Sequence, residues 1–303
     1  NVSKDEVMAL STRMTLKTSV VDLPLWWGKW WAVINPKQLS FKELQSLARW
    51  YVNKMYPILG DRVDVPAPDV NTNAQIMWWM VDEYSLMAGE RVPWTFTGKD
   101  IAMWGSAWRA EATSLWGKIV LEQYLHDNKS DIASNTFVIQ WMWNVWLHFA
   151  KFISQAWGKI LAVSDSKWAI YDKNWIDVNK LLDIKKNWWT VVDLPYQSID
   201  TVFGVACDIV VPAALESVIT ADNMHDIKAS IILELANWPV DAEADKYFEK
   251  NNVTVIPDIL ANAWWVTVSY FEQVQNASNY YRTQDEVNAK LDPIMRNATK
   301  NVA

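Results

Sequence analysis

Two short runs bring together residue types suited to proton transfer. Lys29 stands in Trp26-Trp27-Gly28-Lys29-Trp30-Trp31, and Asp69 closes Val65-Pro66-Ala67-Pro68-Asp69. A lysine brought below its free pKa of about 10.4 by burial or neighbouring cations can take a proton from water, and a carboxylate beside it can relay protons. The two prolines restrict the backbone that carries Asp69. Taken singly, either charge reads as an ordinary solvated surface group. Only a wider set of motifs raises them above that.

The second half supplies another constellation. Positions 141, 143 and 146 of Gln140-Trp141-Met142-Trp143-Asn144-Val145-Trp146 have the spacing of a G-x-G-x-x-G turn, directly after an apolar strand and opening a helix. Asp165 lies at the end of the next strand, where an acidic side chain can bind ribose hydroxyls. All three key positions are tryptophan. An indole cannot occupy a site where phosphate must touch backbone, and left-handed geometry is unfavourable for a bulky residue.

The elements that must position these groups are legible from periodicity. Helices are predicted over 42–56, 74–88 with Asn73 as cap, 109–126, 145–155, near 177–187, and from Val266 onward. Strands are predicted at 136–140, 159–164, 209–211, 231–234 and 253–256. Alternation of this kind predicts a parallel α/β sheet. A length of 303 residues suits two domains with ample core.

Composition excludes several classes. The net charge of -7 and the lack of a long basic run leave no nucleic-acid footprint. The single cysteine, Cys207, rules out a disulfide framework, fits a reducing cytosol and reads as an inert small hydrophobe. His126, His148 and His225 lack ligand spacing, so no metal is expected. The chain opens on Asn1 without a signal-peptide pattern, and its most apolar stretch, 136–150, is too short for a bilayer of about 30 Å. A cytoplasmic location and no membrane partner are expected.

Twenty-two tryptophans against eight glycines is the anomaly. All but Trp50 and Trp79 stand in glycine-like contexts, and counting those as glycine raises its share to about 9%, near the ordinary ~7%. The reading is that a codon meaning glycine in the source, UGA reassigned as in some bacteria, has been rendered as tryptophan. Real tryptophan at so many such sites would cost about 1–3 kcal/mol at each. The total would exceed an ordinary stability of about 5–15 kcal/mol.

With those positions read as glycine, the chain resembles the glutamate dehydrogenase family of amino-acid dehydrogenases from about Val2 to its end. The resemblance rests on Met14-Thr15-Leu16-Lys17, Leu23-Pro24-Leu25 with the Lys29 run, Val65-Pro66-Ala67-Pro68-Asp69-Val70-Asn71-Thr72, Glu234-Leu235-Ala236-Asn237-Trp238-Pro239 and Pro257-Asp258-Ile259-Leu260-Ala261-Asn262-Ala263, continued by Val266-Thr267-Val268-Ser269-Tyr270-Phe271. It implies an α/β fold of two domains: an N-terminal α/β substrate domain, 1–103, and a Rossmann-like dinucleotide-binding domain, 104–303, ending in a helix. The cleft between them is expected to hold the reaction. The activity implied is reversible oxidative deamination of L-glutamate to 2-oxoglutarate and ammonia with NAD or NADP.

The resemblance assigns roles by position. Lys29 matches the catalytic lysine and Asp69 the proton-transfer aspartate; Lys17 matches the partner of the substrate α-carboxylate. Ser269 matches the serine that, with a lysine from an upstream Lys-Gly-Gly segment, recognises the side-chain carboxylate; this favours glutamate over leucine, valine or phenylalanine. Arg109 and Thr113 match the motif bordering substrate and nicotinamide, and Asn262 lies near both. Asn144 and Asn237 match cofactor contacts, beside the turn at Trp141, Trp143 and Trp146. Asp165 favours NAD, whereas Ser166 and Lys167 can accept the 2'-phosphate of NADP. The beginning of the first domain and the terminal helices are expected to be missing, and with them contacts of the family's homo-hexamer. A tryptophan-rich, non-enzymatic binding protein using exposed indoles, or a dehydrogenase of another amino acid, stays open at this stage.

Overall fold

The computed structural model describes residues 3–25, 28–30, 32–107, 110–140, 145–187 and 190–302; the side chains of 110–113, 145–146 and 184–187 lie outside the description. In chain order the helices are α1 Lys4–Val20, α2 Phe41–Met55, α3 Ala74–Ala88, α4 Ala110–Asp127, α5 Val145–Gln155, α6 Val178–Asn187, α7 Ala242–Lys250, α8 Asp258–Ala261, α9 Trp264–Ser278 and α10 Gln284–Val302. The strands are β1 Thr136–Ile139, β2 Lys159–Ser164, β3 Ala169–Tyr171, β4 Gln197–Ile199, β5 Ile209–Val211, β6 Ile231–Leu233 and β7 Thr254–Ile256. Two compact units emerge, Asn1–Trp108 with Trp265–Pro293, and Arg109–Trp264 with Ile294–Ala303. This division differs from two consecutive domains of 1–103 and 104–303, because α9 and the start of α10 join the N-terminal unit.

The first unit is helical among its described residues, with one isolated bridge between Gly60 and Asp64. Capping boxes start α1 (Ser3 with Glu6) and α2 (Ser40 with Glu43), and Asn73 caps α3 as its sequence predicts. Helices α2 and α3 pack through Ala48, Ile76, Met77 and Trp79, and through Val52, Leu59, Val81 and Phe96. Arg49 of α2 bridges Asp82 and Glu83 of α3 at 2.6 and 3.0 Å. Helix α1 is the element that periodicity did not predict: its apolar residues form no stripe, and Arg13, Lys17 and Thr18 are its buried side chains.

The second unit holds the sheet, in the order β4-β3-β2-β1-β5-β6-β7. β1 pairs parallel with both β2 and β5, and β5, β6 and β7 continue in parallel. Strand order therefore reverses at β1, the type of switch point outside whose carboxyl end open α/β sheets bind ligands. Phe137, Val138 and Ile139 of β1 and all of β5 are fully buried, as central parallel strands require. The expected all-parallel sheet is corrected at one edge, where β3 runs antiparallel to β2 and β4 antiparallel to β3. The turn at 165–168, closed by Asp165 N–H to the Trp168 carbonyl at 2.9 Å, is too short for a crossover and forces a hairpin. Asp241 caps α7 through the amides of Glu243 and Ala244.

Among the described residues four tryptophans occupy left-handed backbone: Trp104 (φ 66°), Trp157 (65°), Trp175 (63°) and Trp238 (49°). That region costs an L-residue roughly 1–2 kcal/mol and costs glycine almost nothing. Trp157 ends α5, where its own amide and that of Gly158 close onto Ser154 and Ile153, a helix stop that favours glycine. Its side chain is 81% exposed, so little burial offsets the strain. Trp157→Gly is expected to raise stability by about 1 kcal/mol in urea unfolding; Trp175→Gly should gain less, because Lys159 lies over that ring at 5.6 Å. A lower midpoint for Trp157→Gly would show that the indole carries contacts worth more than its backbone strain.

Candidate active site

Lys29 forms an ion pair with Asp69 Oδ2. The Lys29 side chain is 18% exposed and that of Asp69 is 52%. Burial holds Lys29 below the ordinary lysine value, while the adjacent carboxylate favours its ammonium form and opposes that shift. The aspartate is presented by a stiff turn. Its Oδ1 accepts the Val70 N–H at 2.8 Å, the Thr72 N–H reaches the Asp69 carbonyl at 2.9 Å, and the Thr97 N–H donates to the Pro66 carbonyl at 3.0 Å. The remaining carboxylate oxygen faces the lysine, an arrangement suited to passing a proton between two groups.

Ser269, half-buried on α9, opens into a cleft of about 670 Å³ in the same unit. Pro24, Leu25, Asp64, Val65 and Thr97 share its lining. Burial raises the Asp64 carboxyl above its usual range, against the Trp30 indole N–H that donates to it at 2.7 Å. The run 61–65 along the cleft leads directly into Pro66 and the Asp69 turn. Lys17 is buried in the last turn of α1, next to Thr18, whose carbonyl takes the Leu23 N–H at 2.9 Å. The helix end that carries Lys17 is thereby tied to the segment that supplies Pro24 and Leu25.

In the second unit, Asn262 Nδ2 donates to Asn237 Oδ1 at 3.2 Å. Asn262 is 7% exposed and its Oδ1 is a buried acceptor with no partner in the structure. Such an atom is costly unless a ligand satisfies it, and a carboxamide N–H is a suitable donor. The Asp165 carboxylate is fixed at the end of β2 by the Lys167 and Trp168 amides, each at 2.8 Å, and by that of Val191 at 3.0 Å. Ser166 is exposed on the same turn. Arg109, Trp141, Trp143 and Asn144 lie outside the described residues, as do the side chains of Thr113 and Trp146.

A buried polar row on α9 is absent from the sequence expectations. The Glu272 carboxylate takes the Gly98 N–H at 3.0 Å and the Lys99 ammonium at 2.7 Å. Gln273 reaches the Asp61 carbonyl at 2.9 Å, Gln275 the Gly105 carbonyl at 3.2 Å and Asn276 the Trp104 carbonyl at 3.0 Å. Burial lowers the Lys99 pKa, with Glu272 opposing. The available signal was Glu272, Gln273, Gln275 and Asn276 crowded onto a helix otherwise read as apolar.

The comparisons place the chain among the amino-acid dehydrogenases. The sequence model described as Glutamate/Leucine/Phenylalanine/Valine dehydrogenase matches residues 105–303, and the one described as Glu/Leu/Phe/Val dehydrogenase, dimerisation domain, matches residues 1–86. The NAD-specific glutamate dehydrogenase of Staphylococcus aureus strain COL is 43% identical over 293 residues, 96% of this chain and 71% of that protein. Glutamate dehydrogenase from Peptoniphilus asaccharolyticus superposes with a TM-score of 0.87 at 38% identity, covering 99% of this chain and 73% of that one. The hetero-hexameric glutamate dehydrogenase of Thermus thermophilus in its leucine-bound form gives 0.86 at 28% identity, covering 99% and 72%. The chain belongs to the Glu/Leu/Phe/Val dehydrogenase family.

Proposed function

We propose that the chain oxidises L-glutamate reversibly to 2-oxoglutarate and ammonia, with Lys29 and Asp69 as its proton-handling pair. The observation that carries this reading is their direct contact, with the lysine partly buried and lowered in pKa by that burial. Bound NAD supplies the acceptor for the hydride that leaves the substrate Cα. Lys29, as the free amine, then takes a proton from the water that adds to the imino carbon, and Asp69 relays protons toward the departing ammonia. Lys17 pairs with the α-carboxylate and Ser269 donates to the side-chain carboxylate. NAD would be held by Asp165 at its ribose and by Asn237 and Asn262 near the nicotinamide, with Arg109 and Thr113 bordering it. The 141–146 turn would hold the pyrophosphate, with glycine at 141, 143 and 146. The buried Asn262 Oδ1 and the fixed Asp165 carboxylate support that assignment.

The proposed domain roles are substrate binding by residues 1–103, joined by Ser269 on α9 of the same compact unit, and dinucleotide binding by the rest of 104–303. A cytoplasmic location is proposed, and for the full-length protein a homo-oligomer, the hexamer of the family, as the working state; one relative is a hetero-hexamer. No helix among the described residues is long and apolar enough to cross a membrane. The deciding assay compares NADH formation from glutamate, leucine and valine, in wild type and Ser269→Ala. Glutamate is expected to be turned over far faster than the other two, and Ser269→Ala to raise its KM about tenfold, the cost of one hydrogen bond to a charged group. Equal turnover of leucine, with KM for glutamate indifferent to Ser269, would move the assignment to another amino acid.

A further inference from the structure

The side chains Lys99 and Glu272 are 0% and 1% exposed, the most deeply enclosed ion pair among the described residues. Both glutamate oxygens are used. Oε2 takes the Gly98 N–H at 3.0 Å, and Oε1 takes the Lys99 N–H at 3.3 Å and its ammonium at 2.7 Å; the same ammonium donates to the Phe96 carbonyl. A buried pair of this kind adds little net stability, since desolvation offsets the attraction. Its placement is more informative.

The segment Thr97-Gly98-Lys99 is held from two sides. On one side the Thr97 N–H donates to the Pro66 carbonyl, and Gly98, at φ +72°, presses on the Pro68 ring where an added Cβ would collide. Pro66 and Pro68 lead straight into Asp69. On the other side the segment is fastened to Glu272, one turn along α9 from Ser269. Thr97 and Ser269 line the same cleft. The distance from the Ser269 hydroxyl to the Asp69 turn is therefore set in part through this strap and the Glu272 carboxylate, beside the Gln273 bond to the Asp61 carbonyl.

We infer that Lys99 and Glu272 are a positioning pair, which holds the Ser269 face of α9 in register with the Asp69 turn and so fixes the length of acidic substrate that fits between them. The inference rests on the proposed glutamate activity and concerns neither proton transfer nor cofactor binding. Misplacement by a fraction of an ångström should weaken substrate engagement more than the chemistry at Lys29.

The test is a double-mutant cycle on the enzyme made in a host that shares its genetic decoding. Glu272→Gln is expected to raise KM for glutamate about tenfold with kcat changed less than about threefold. In a Ser269→Ala background the same change should raise KM less than about twofold, because the group it positions is gone. An equal rise in both backgrounds, or none in wild type, overturns the inference. If Glu272→Gln does not fold, the pair Lys99→Met with Glu272→Leu keeps the site packed without buried charge, and the same expectations and the same refuting results apply. A parent enzyme without glutamate-dependent NADH formation overturns the functional reading and this inference together; an active parent without the coupling overturns only the latter.

Discussion

Lys29→Met is expected to lower kcat for glutamate-dependent NADH formation by about 10³-fold, the usual loss when a positioned general base is removed. Methionine fills the space of the lysine stem, so the fold and KM should change little. The pH dependence follows from the direction of the pKa shift. Lys29 must be the free amine to act, and burial lowers its pKa below the ordinary value of 10.5. The rate should rise with pH and level off below that value. Asp69→Asn removes the negative charge that stabilises the ammonium, so the rising limb should move to lower pH while the plateau falls with the loss of the relay. Should Lys29→Met keep more than about a tenth of kcat, another group is the base and the ion pair is structural.

The second large effect concerns the dinucleotide. A chain with tryptophan at 141, 143 and 146 is expected to show no NADH binding at millimolar concentration, whereas glycine at those positions should restore micromolar affinity. The difference is about 1000-fold, or roughly 4 kcal/mol. The cause is geometric, because phosphate must reach backbone amides where an indole would stand. Peptide mass spectrometry of the protein from its native source, over 18–37 and 136–151, should find glycine masses at 26, 27, 30, 31, 141, 143 and 146. Tryptophan masses together with tight NADH binding would refute both the decoding and the steric argument. The left-handed backbone at Trp104, Trp157, Trp175 and Trp238 points the same way independently of any phosphate contact.

Much of the architecture could be read from period alone. Strands 209–211 and 159–164 and helices 145–155 and 74–88 have the bounds their apolar spacing predicts. α1 escaped because its buried face carries Arg13, Lys17 and Thr18. The β3–β4 edge escaped because β4, Gln197-Ser198-Ile199, is largely exposed and lacks the all-apolar run that marks the equally short, fully buried β5. Lys29 and Asp69, 40 residues apart, could be named only through family resemblance, and their contact is a tertiary fact. Glu272 left only the faint signal of polar residues crowded on an apolar helix, and its pairing with Lys99 could not be named at all. Each alone is a common charged residue, and nothing local reveals that both are sealed from water.

The closure of the N-terminal unit by α9 has a consequence for biosynthesis. Lys99 and the carbonyls of Trp104 and Gly105 leave the ribosome early, yet their partners on α9 are 170 to 173 residues away in the chain. The N-terminal unit cannot satisfy its buried polar groups until the whole sheet-bearing unit has been translated. Nascent chains stopped before residue 265 would carry an open, unpaired face, so the first part made should be the last part finished, and the natural client of a chaperone.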